Sequence, residues 1–264
     1  MGSIPAKVQD RLVKGIKRFQ PILTASRSRD DGEADTVMIV TDMLFEVFGY
    51  DKYSEITAEY AIRGTYCDLA TKLDGTLQTL IEVKAIGLDL KEHHVRQAVD
   101  YAANQGVDWV VLTNGVTWRI YKVTFSKPID QELVVEFDFC SINPRAAAEL
   151  EKLYLLSKEG WIKSVLGVYQ AQKQVLSRFS LAAVILSQPI LDGIRRELRK
   201  LSPDVRIDTE EIKGVLSNEV IKREVIEGDK SEEARKKIQR MQNKVRKAKE
   251  DEATEQMPTS TQSS

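Results

Sequence analysis

The strongest constraint on this chain is a change of hydrophobic period near residue 55. Before it, apolar residues recur at helical spacing. Val8, Leu12, Ile16 and Phe19 mark a first amphipathic helix over residues 6–20, which Pro21 is expected to stop. The polar stretch 26–32 reads as a loop. A second helix starts near Glu33, carries Val37, Val40, Leu44 and Val47 on one face, and ends at Gly49, a C-cap glycine. From residue 55 the pattern alternates: Ile56, Ala58, Tyr60 and Ile62 against Glu55, Thr57, Glu59 and Ala61, which predicts a strand. Residues 65–73 predict a second strand, Asp74-Gly75 a hairpin turn, and residues 78–85 a third. The run Leu80-Ile81-Glu82-Val83 suits a central strand buried on both faces. Helical spacing then returns over residues 90–104, opened by a capping box from Asp89 to Glu92 and closed by Gly106. Two more strands follow, 107–113 and 116–123, joined by Asn114-Gly115 as a type I′ turn, with an edge strand near residues 133–139. An order of helix, three strands, helix and two strands predicts an α/β fold.

After Pro144 the strands stop. Helices are expected over residues 146–156, 160–177, 181–201, split at Pro189, and 208–216. Trp161, Val165, Val168, Leu176 and Leu181 are their expected buried positions. A charged helix over about 231–249 carries Ala234, Ile238, Met241, Val245 and Ala248 as a thin heptad seam, and a low-complexity end follows that reads as disordered. The implied division is 1–30, an N-terminal helix and loop; 31–140, an α/β domain; 145–225, a helical domain; and 229–264, a charged helix and tail.

Composition narrows the function. The 264 residues carry 39 Lys+Arg against 40 Asp+Glu, a formal net charge of −1, which excludes a globally basic nucleic-acid coat but not a local basic site. Two cysteines, Cys67 and Cys140, are too few for a disulfide framework and suit a reducing compartment. No apolar run approaches the ~20 residues of a membrane span, and no signal-peptide pattern is visible, so no membrane partner and a cytoplasmic location are expected.

The chemistry concentrates around Asp68 and Glu82-Val83-Lys84. Alternate strand residues point the same way, so Glu82 and Lys84 share a face about 7 Å apart, and Asp68 lies on the adjoining hairpin strand. Two carboxylates and an ammonium then converge in an apolar sheet. That set suits hydrolysis at phosphorus with Mg²⁺, a hard cation held by one or two carboxylates, water and phosphate oxygens. Lys84 is positioned to orient or deprotonate the attacking water. Glu33 opens the preceding helix, where an outer acid would sit, and Gln97 and Tyr101 lie four residues apart on the helix after the lysine. His94 shares their face and is expected to face DNA or solvent. Glu59 reads as an exposed strand residue, Trp109, Trp118 and Tyr121 as sheet core, and Arg195, Arg196, Arg199 and Lys200 as a solvated basic face.

In this order and spacing, residues 33–123 resemble the N-terminal nuclease domain of type I restriction enzyme R subunits, within the PD-(D/E)xK superfamily. Glu33 matches the first-helix acid, Asp68 the metal acid, Glu82-Val83-Lys84 the E-x-K, Gln97-Ala-Val-Asp-Tyr101 the Q-x-x-x-Y helix motif, and residues 111–118 the strand-turn-strand ending. Cys67 stands where proline usually precedes the acid. The resemblance implies a three-layer α/β/α core with a mixed sheet, followed here by a helical unit and a charged tail. It also implies Mg²⁺-dependent phosphodiester cleavage, with Mn²⁺ as a substitute. Asp68 and Glu82 would hold the metal with the Val83 carbonyl, Lys84 would position water, Glu33 would support the catalytic set, and Gln97 and Tyr101 would orient the phosphodiester backbone. No G-x-x-x-x-G-K-[ST] phosphate loop is present. The expected function is therefore a DNA endonuclease in restriction or phage defence. Its partners would be DNA, a second copy as homodimer, or a motor or specificity subunit on a separate chain. The alternative is a non-cleaving nucleic-acid-binding or adaptor subunit of such a complex that keeps the nuclease fold.

Overall fold

A computed structural model describes residues 3–62, 65–125 and 128–255. The chain divides into two compact units, Met1–Tyr169 and Gln170–Ser264. The first contains α1 (Ala6–Arg29), α2 (Glu33–Glu46), β1 (Ile56–Ile62), β2 (Thr65–Leu73), β3 (Thr76–Val83), α3 (Glu92–Gln105), β4 (Trp109–Thr113), β5 (Thr117–Thr124), β6 (Asp130–Asp138), α4 (Ala147–Leu156) and α5 (Lys158–Ile162). The helix α6 (Val165–Val175) crosses the division.

The six strands lie in the order β1-β2-β3-β4-β5-β6. All neighbours are antiparallel except β3 and β4, which are parallel. Parallel neighbours need a crossover, and α3 supplies it. The sheet is therefore mixed, and its two faces bury separate cores. On one, Leu69, Ile81, Val83, Val111 and Trp118 pack with Leu12, Ile16 and Phe19 of α1 and Val40 and Leu44 of α2. On the other, Ala70, Leu80, Val110 and Leu112 pack with Val95, Ala98 and Ala102 of α3. This is the three-layer α/β arrangement expected from the sequence. Trp118 and Tyr121 are core residues, Trp109 packs at the edge of the core, and Glu59 is exposed, all as expected.

Several local expectations need correction. Pro21 does not end α1, which continues to Arg29. The buried stripe runs on through Leu23 and Ser26, so tertiary packing outweighs the proline. Asp30 then ends the helix in the left-handed conformation with φ 54°. The expected capping box with Asp89 does not form at α3, whose N-cap is Lys91. Gly32 precedes α2 with no side-chain cap. At α3 the His94 Nδ1 accepts the Lys91 N–H at 3.1 Å. Asp74-Gly75 does make the I′ geometry, with φ 49° and 76°. Asn114-Gly115 does not, because only Gly115 has positive φ. There the Asn114 Oδ1 accepts the N–H groups of Val116 and Thr117, and its Nδ2 donates to the carbonyls of Ile86 and Leu88, pinning the loop that follows β3.

The division between units also falls later than residue 145. Leu150, Leu153, Tyr154, Leu155 and Leu156 of α4 are buried in the first unit's core. α5 is held there by Arg11, which donates to both Glu159 oxygens and to the carbonyls of Val47 and Phe48.

The second unit holds α7 (Arg178–Ile185), α8 (Gln188–Leu201), α9 (Thr209–Val215), a π-helical turn (Leu216–Val220), α10 (Arg223–Ile226) and α11 (Asp229–Glu255). Pro189 sits in the first turn of α8, so the helical stretch over 181–201 does divide there. The helix expected over 160–177 is instead two, α5 and α6, and α7 already begins at Arg178. Ser157 and Ser177 cap new N-termini and Ser164 takes φ 53°. Each break resets the helical phase, leaving Val168, Leu176 and Leu181 exposed at 58%, 60% and 47%, whereas Trp161 and Val165 are partly buried against the core. α11 packs on α7 through the start of the expected seam: Ala234 is buried, Ile238 half-buried, and Met241 exposed. The side chains of Val245 and Ala248 and the structure of residues 256–264 lie outside the described residues.

Candidate active site

The end of β3 carries the sequence-predicted set. In a sheet with a parallel pair, the space beyond the carboxyl ends of those strands is where ligands bind, because the crossover leaves a crevice there. Glu82 is the last but one residue of β3 and is in register with Leu112 of β4. It shares the α3 face with Leu80, so its side chain enters a core otherwise apolar and is only 5% exposed. Lys84 continues the β3–β4 ladder by one bond, its N–H donating to the Thr113 carbonyl at 2.8 Å. Its Nζ donates to Glu82 Oε1 at 2.7 Å and lies 3.5 Å from Glu33 Oε2. The first acid of α2 is thereby joined to the end of β3.

Asp68 arrives from β2 through a local irregularity. The β1–β2 register runs continuously from Ile56↔Thr71 to Ile62↔Thr65 but lacks the Glu59–Asp68 pair. Glu59 has φ 48°, a left-handed conformation costly for a residue with a Cβ. At this point Cys67 and Leu69, two residues apart, enter opposite cores. Strict alternation would have put them in the same one. Asp68 Oδ2 accepts the Val83 N–H at 2.7 Å, tying its carboxylate to the backbone between Glu82 and Lys84.

The electrostatics are those of crowded acids. Burial raises the Asp68 pKa above its ordinary 3.8; the Val83 N–H and Lys84 oppose this, and Glu33 reinforces it. Burial likewise raises Glu82 above 4.5 despite its bond to Lys84, with Asp68 and Glu33 adding repulsion. For Lys84, burial works against the charge, but Glu82, Glu33 and Asp68 outweigh it and its pKa lies above the ordinary value. Its acidic neighbours therefore favour the ammonium form, a hydrogen-bond donor. The two partners of the Lys84–Glu82 pair shift in the same direction for different reasons: desolvation governs the carboxyl, and its acidic neighbours govern the ammonium.

One atom is left over. Glu82 Oε2 is buried and has no hydrogen-bond partner among the described residues. A buried carboxylate oxygen without a donor costs on the order of 1–3 kcal/mol. Three carboxylates against one ammonium also leave a local excess of negative charge. Both features fit a small divalent cation. No group of three or more His, Cys, Asp or Glu among the described residues could cage an ion. Mg²⁺ does not need such a cage, since one or two carboxylates with water and phosphate complete its shell.

The structure thus joins Glu33, Asp68, Glu82 and Lys84. It pairs Gln97 and Tyr101 with each other instead, Gln97 Nε2 donating to the Tyr101 hydroxyl at 2.5 Å, with Tyr101 buried against the sheet and Gln97 exposed. Two residues near the acids were not assigned to the site from sequence. Cys67 is buried beside them, and burial first, then Glu82 and Asp68, push its thiol up to about 12. His94 feels Lys84 and Glu33; partial burial first, then His93 and Lys84, lower its pKa. The 94/97/101 spacing on α3 was the available signal for His94. For Cys67 the signal was its place directly before Asp68, but its burial beside the acids goes with the β2 irregularity.

No curated protein and no solved structure matches the chain. No helix among the described residues is long and apolar enough to cross a membrane. Residues 39–135, which include Asp68, Glu82, Lys84, Gln97 and Tyr101 but not Glu33, match the family of the type I restriction enzyme R protein N terminus, and over that span the chain is similar to the R-subunit N-terminal domain.

Proposed function

We propose that this protein is a Mg²⁺-dependent nuclease that hydrolyses phosphodiester bonds, a DNA endonuclease of restriction or phage defence. The observation that carries the reading is the unpartnered, buried Glu82 Oε2 beside Asp68 and Lys84. Asp68 and Glu82, with the Val83 carbonyl, would hold the ion, and Mn²⁺ would substitute for Mg²⁺. The ion, when bound, supplies charge neutralisation at the scissile phosphate and acidifies an attacking water. Lys84, an ammonium held between Glu82 and Glu33, donates to the water or a phosphate oxygen and offsets charge that develops there. Glu33 keeps that ammonium in place and charged. The Val83 N–H fixes the Asp68 carboxylate, so its orientation costs little when substrate arrives. Gln97 and Tyr101 would orient the phosphodiester backbone. DNA is the proposed partner, with a second copy, or a motor or specificity subunit on another chain, as protein partners.

The test is incubation of the purified protein with plasmid and single-stranded DNA in Mg²⁺ or Mn²⁺. Cleavage by the parent protein and its loss in Lys84→Ala are expected. Absence of cleavage by the parent, or equal cleavage by the variant, would leave only a non-cleaving nucleic-acid-binding or adaptor subunit.

A further inference from the structure

α1 has a charge imbalance that its own stability does not explain. The helix carries seven basic residues and one acid, Asp10, in a chain whose net charge is −1. Its first turn contains no acid. Lys7 there opposes the helix dipole, and cations three and four residues apart repel one another. Lys7, Arg11, Lys14 and Arg18 fall on one flank of the helix and line a cleft of about 480 Å³ with Asp10, Gly15 and Glu46. Two of the four have structural partners, Arg11 with Glu159 and Arg18 with Glu46. Lys7, Lys14 and the neighbouring Lys17 are exposed and have no ion-pair partner among the described residues.

The opposite end of the same helix reaches the candidate site. Asp30, which ends α1, lies against Gly87 in the loop after Lys84, its Oδ1 2.3 Å from where a Cβ on Gly87 would stand. Glu33, three residues on, meets Lys84. At about 1.5 Å per residue, Lys14 lies roughly 24 Å along the helix from Asp30. Duplex DNA advances about 3.4 Å per base pair, so this separation corresponds to roughly seven base pairs.

We infer that the Lys7–Lys14–Lys17 flank of α1 is a phosphate-backbone track for duplex DNA, contacting the substrate away from the bond to be cut. The choice of DNA as the polyanion rests on the nuclease reading; the existence of a track does not. Such contacts position the duplex without reading its sequence. None of the three lysines belongs to the acid–lysine cluster.

The test uses the full chain with Lys84→Ala, so that binding is read without turnover, and fluorescence anisotropy with a duplex of about thirty base pairs over a range of salt. Adding Lys7→Gln, Lys14→Gln and Lys17→Gln should lower the slope of log K against log salt by about 2–3, near 0.9 per lost contact, and weaken binding roughly ten- to a hundredfold at moderate salt. The melting temperature should hold or rise slightly, since all three side chains are exposed and their mutual repulsion and the unfavourable dipole interaction of Lys7 are relieved. If the triple variant fails to fold, each single variant should still lower the slope by about 0.9. Unchanged slope and affinity in a folded variant would overturn the inference. So would loss of binding to anionic phospholipid vesicles with duplex binding intact. Absence of cleavage by the Lys84-containing protein, with the slope change present, would refute the nuclease reading and leave the track standing.

Discussion

Replacing Lys84 by alanine strands a buried carboxylate, and the consequence for stability is separable from any effect on catalysis. Glu82 and Lys84 side chains are 5% and 17% exposed, and among the described residues their 2.7 Å bond is the only hydrogen bond of the Glu82 carboxylate. Breaking a fully buried pair by removing one partner costs about 3–5 kcal/mol. Lys84 retains some access to solvent, which screens the remaining charge, so the expected loss is about 2–3 kcal/mol at neutral pH. The sign with pH follows from Glu82, whose folded-state pKa is already above 4.5. Without the ammonium it rises further. The native state then keeps a proton over a wider range than the unfolded chain, and stability falls as pH rises through that range. The penalty of Lys84→Ala should be full above the variant's raised Glu82 pKa and fade as pH drops toward about 4.5, where the folded-state carboxyl is largely protonated in parent and variant alike. Adding Glu82→Gln should recover about 1–2 kcal/mol at neutral pH, because no buried charge remains. Urea denaturation with a metal chelator, at several pH values between about 4.5 and 8, measures all of this. A loss independent of pH, or strict additivity of the two substitutions, would refute the account of Glu82 as a buried charge held by Lys84.

Asp68→Asn keeps an acceptor for the Val83 N–H and removes one of the crowded charges, so it should abolish cleavage while leaving stability unchanged or higher by up to about 1 kcal/mol at neutral pH. Mg²⁺ should raise the melting temperature of the parent protein but not of Asp68→Asn, which thermal denaturation with and without the ion would read. Because Asp68 and Glu82 both have raised pKa values, ion binding should release protons at mildly acidic pH, and calorimetry in buffers of different ionisation enthalpy would detect it. Gly15→Ala would place a Cβ 2.7 Å from a Val47 methyl, so despite the better helix propensity it should destabilise by about 1–2 kcal/mol in a thermal melt. Deleting the chain after Gly228 should lower the stability of the second unit by uncovering α7 where Ala234 packs, whereas deletion after Lys244 should not, as differential scanning calorimetry would show.

Sequence by itself determined the order of elements and picked out the acids and the lysine that converge at the end of β3. Period two and period 3.6 are direct consequences of how side chains leave a strand and a helix, so the strand block, the crossover helix and the return to strands were legible without coordinates. The acid–x–lysine on β3 was legible for the same reason, since alternation alone places Glu82 and Lys84 on one side. What sequence could not decide were features set by contacts between distant residues. α1 runs through Pro21 because its buried stripe extends through Leu23 to Ser26. α4 and α5 belong to the first unit because Leu153 and Tyr154 complete its core and Arg11 holds Glu159. Asp68 accepts the Val83 N–H where the β1–β2 ladder skips Glu59 and the β2–β3 pairing ends at Leu69↔Ile81, breaks that no periodicity encodes. The unmet oxygen of Glu82 appears only when burial and every neighbouring donor are known together. Local pattern specifies which groups a segment offers; tertiary packing decides which of those groups are left without partners, and those unpaired groups are the ones a cation or phosphate would meet.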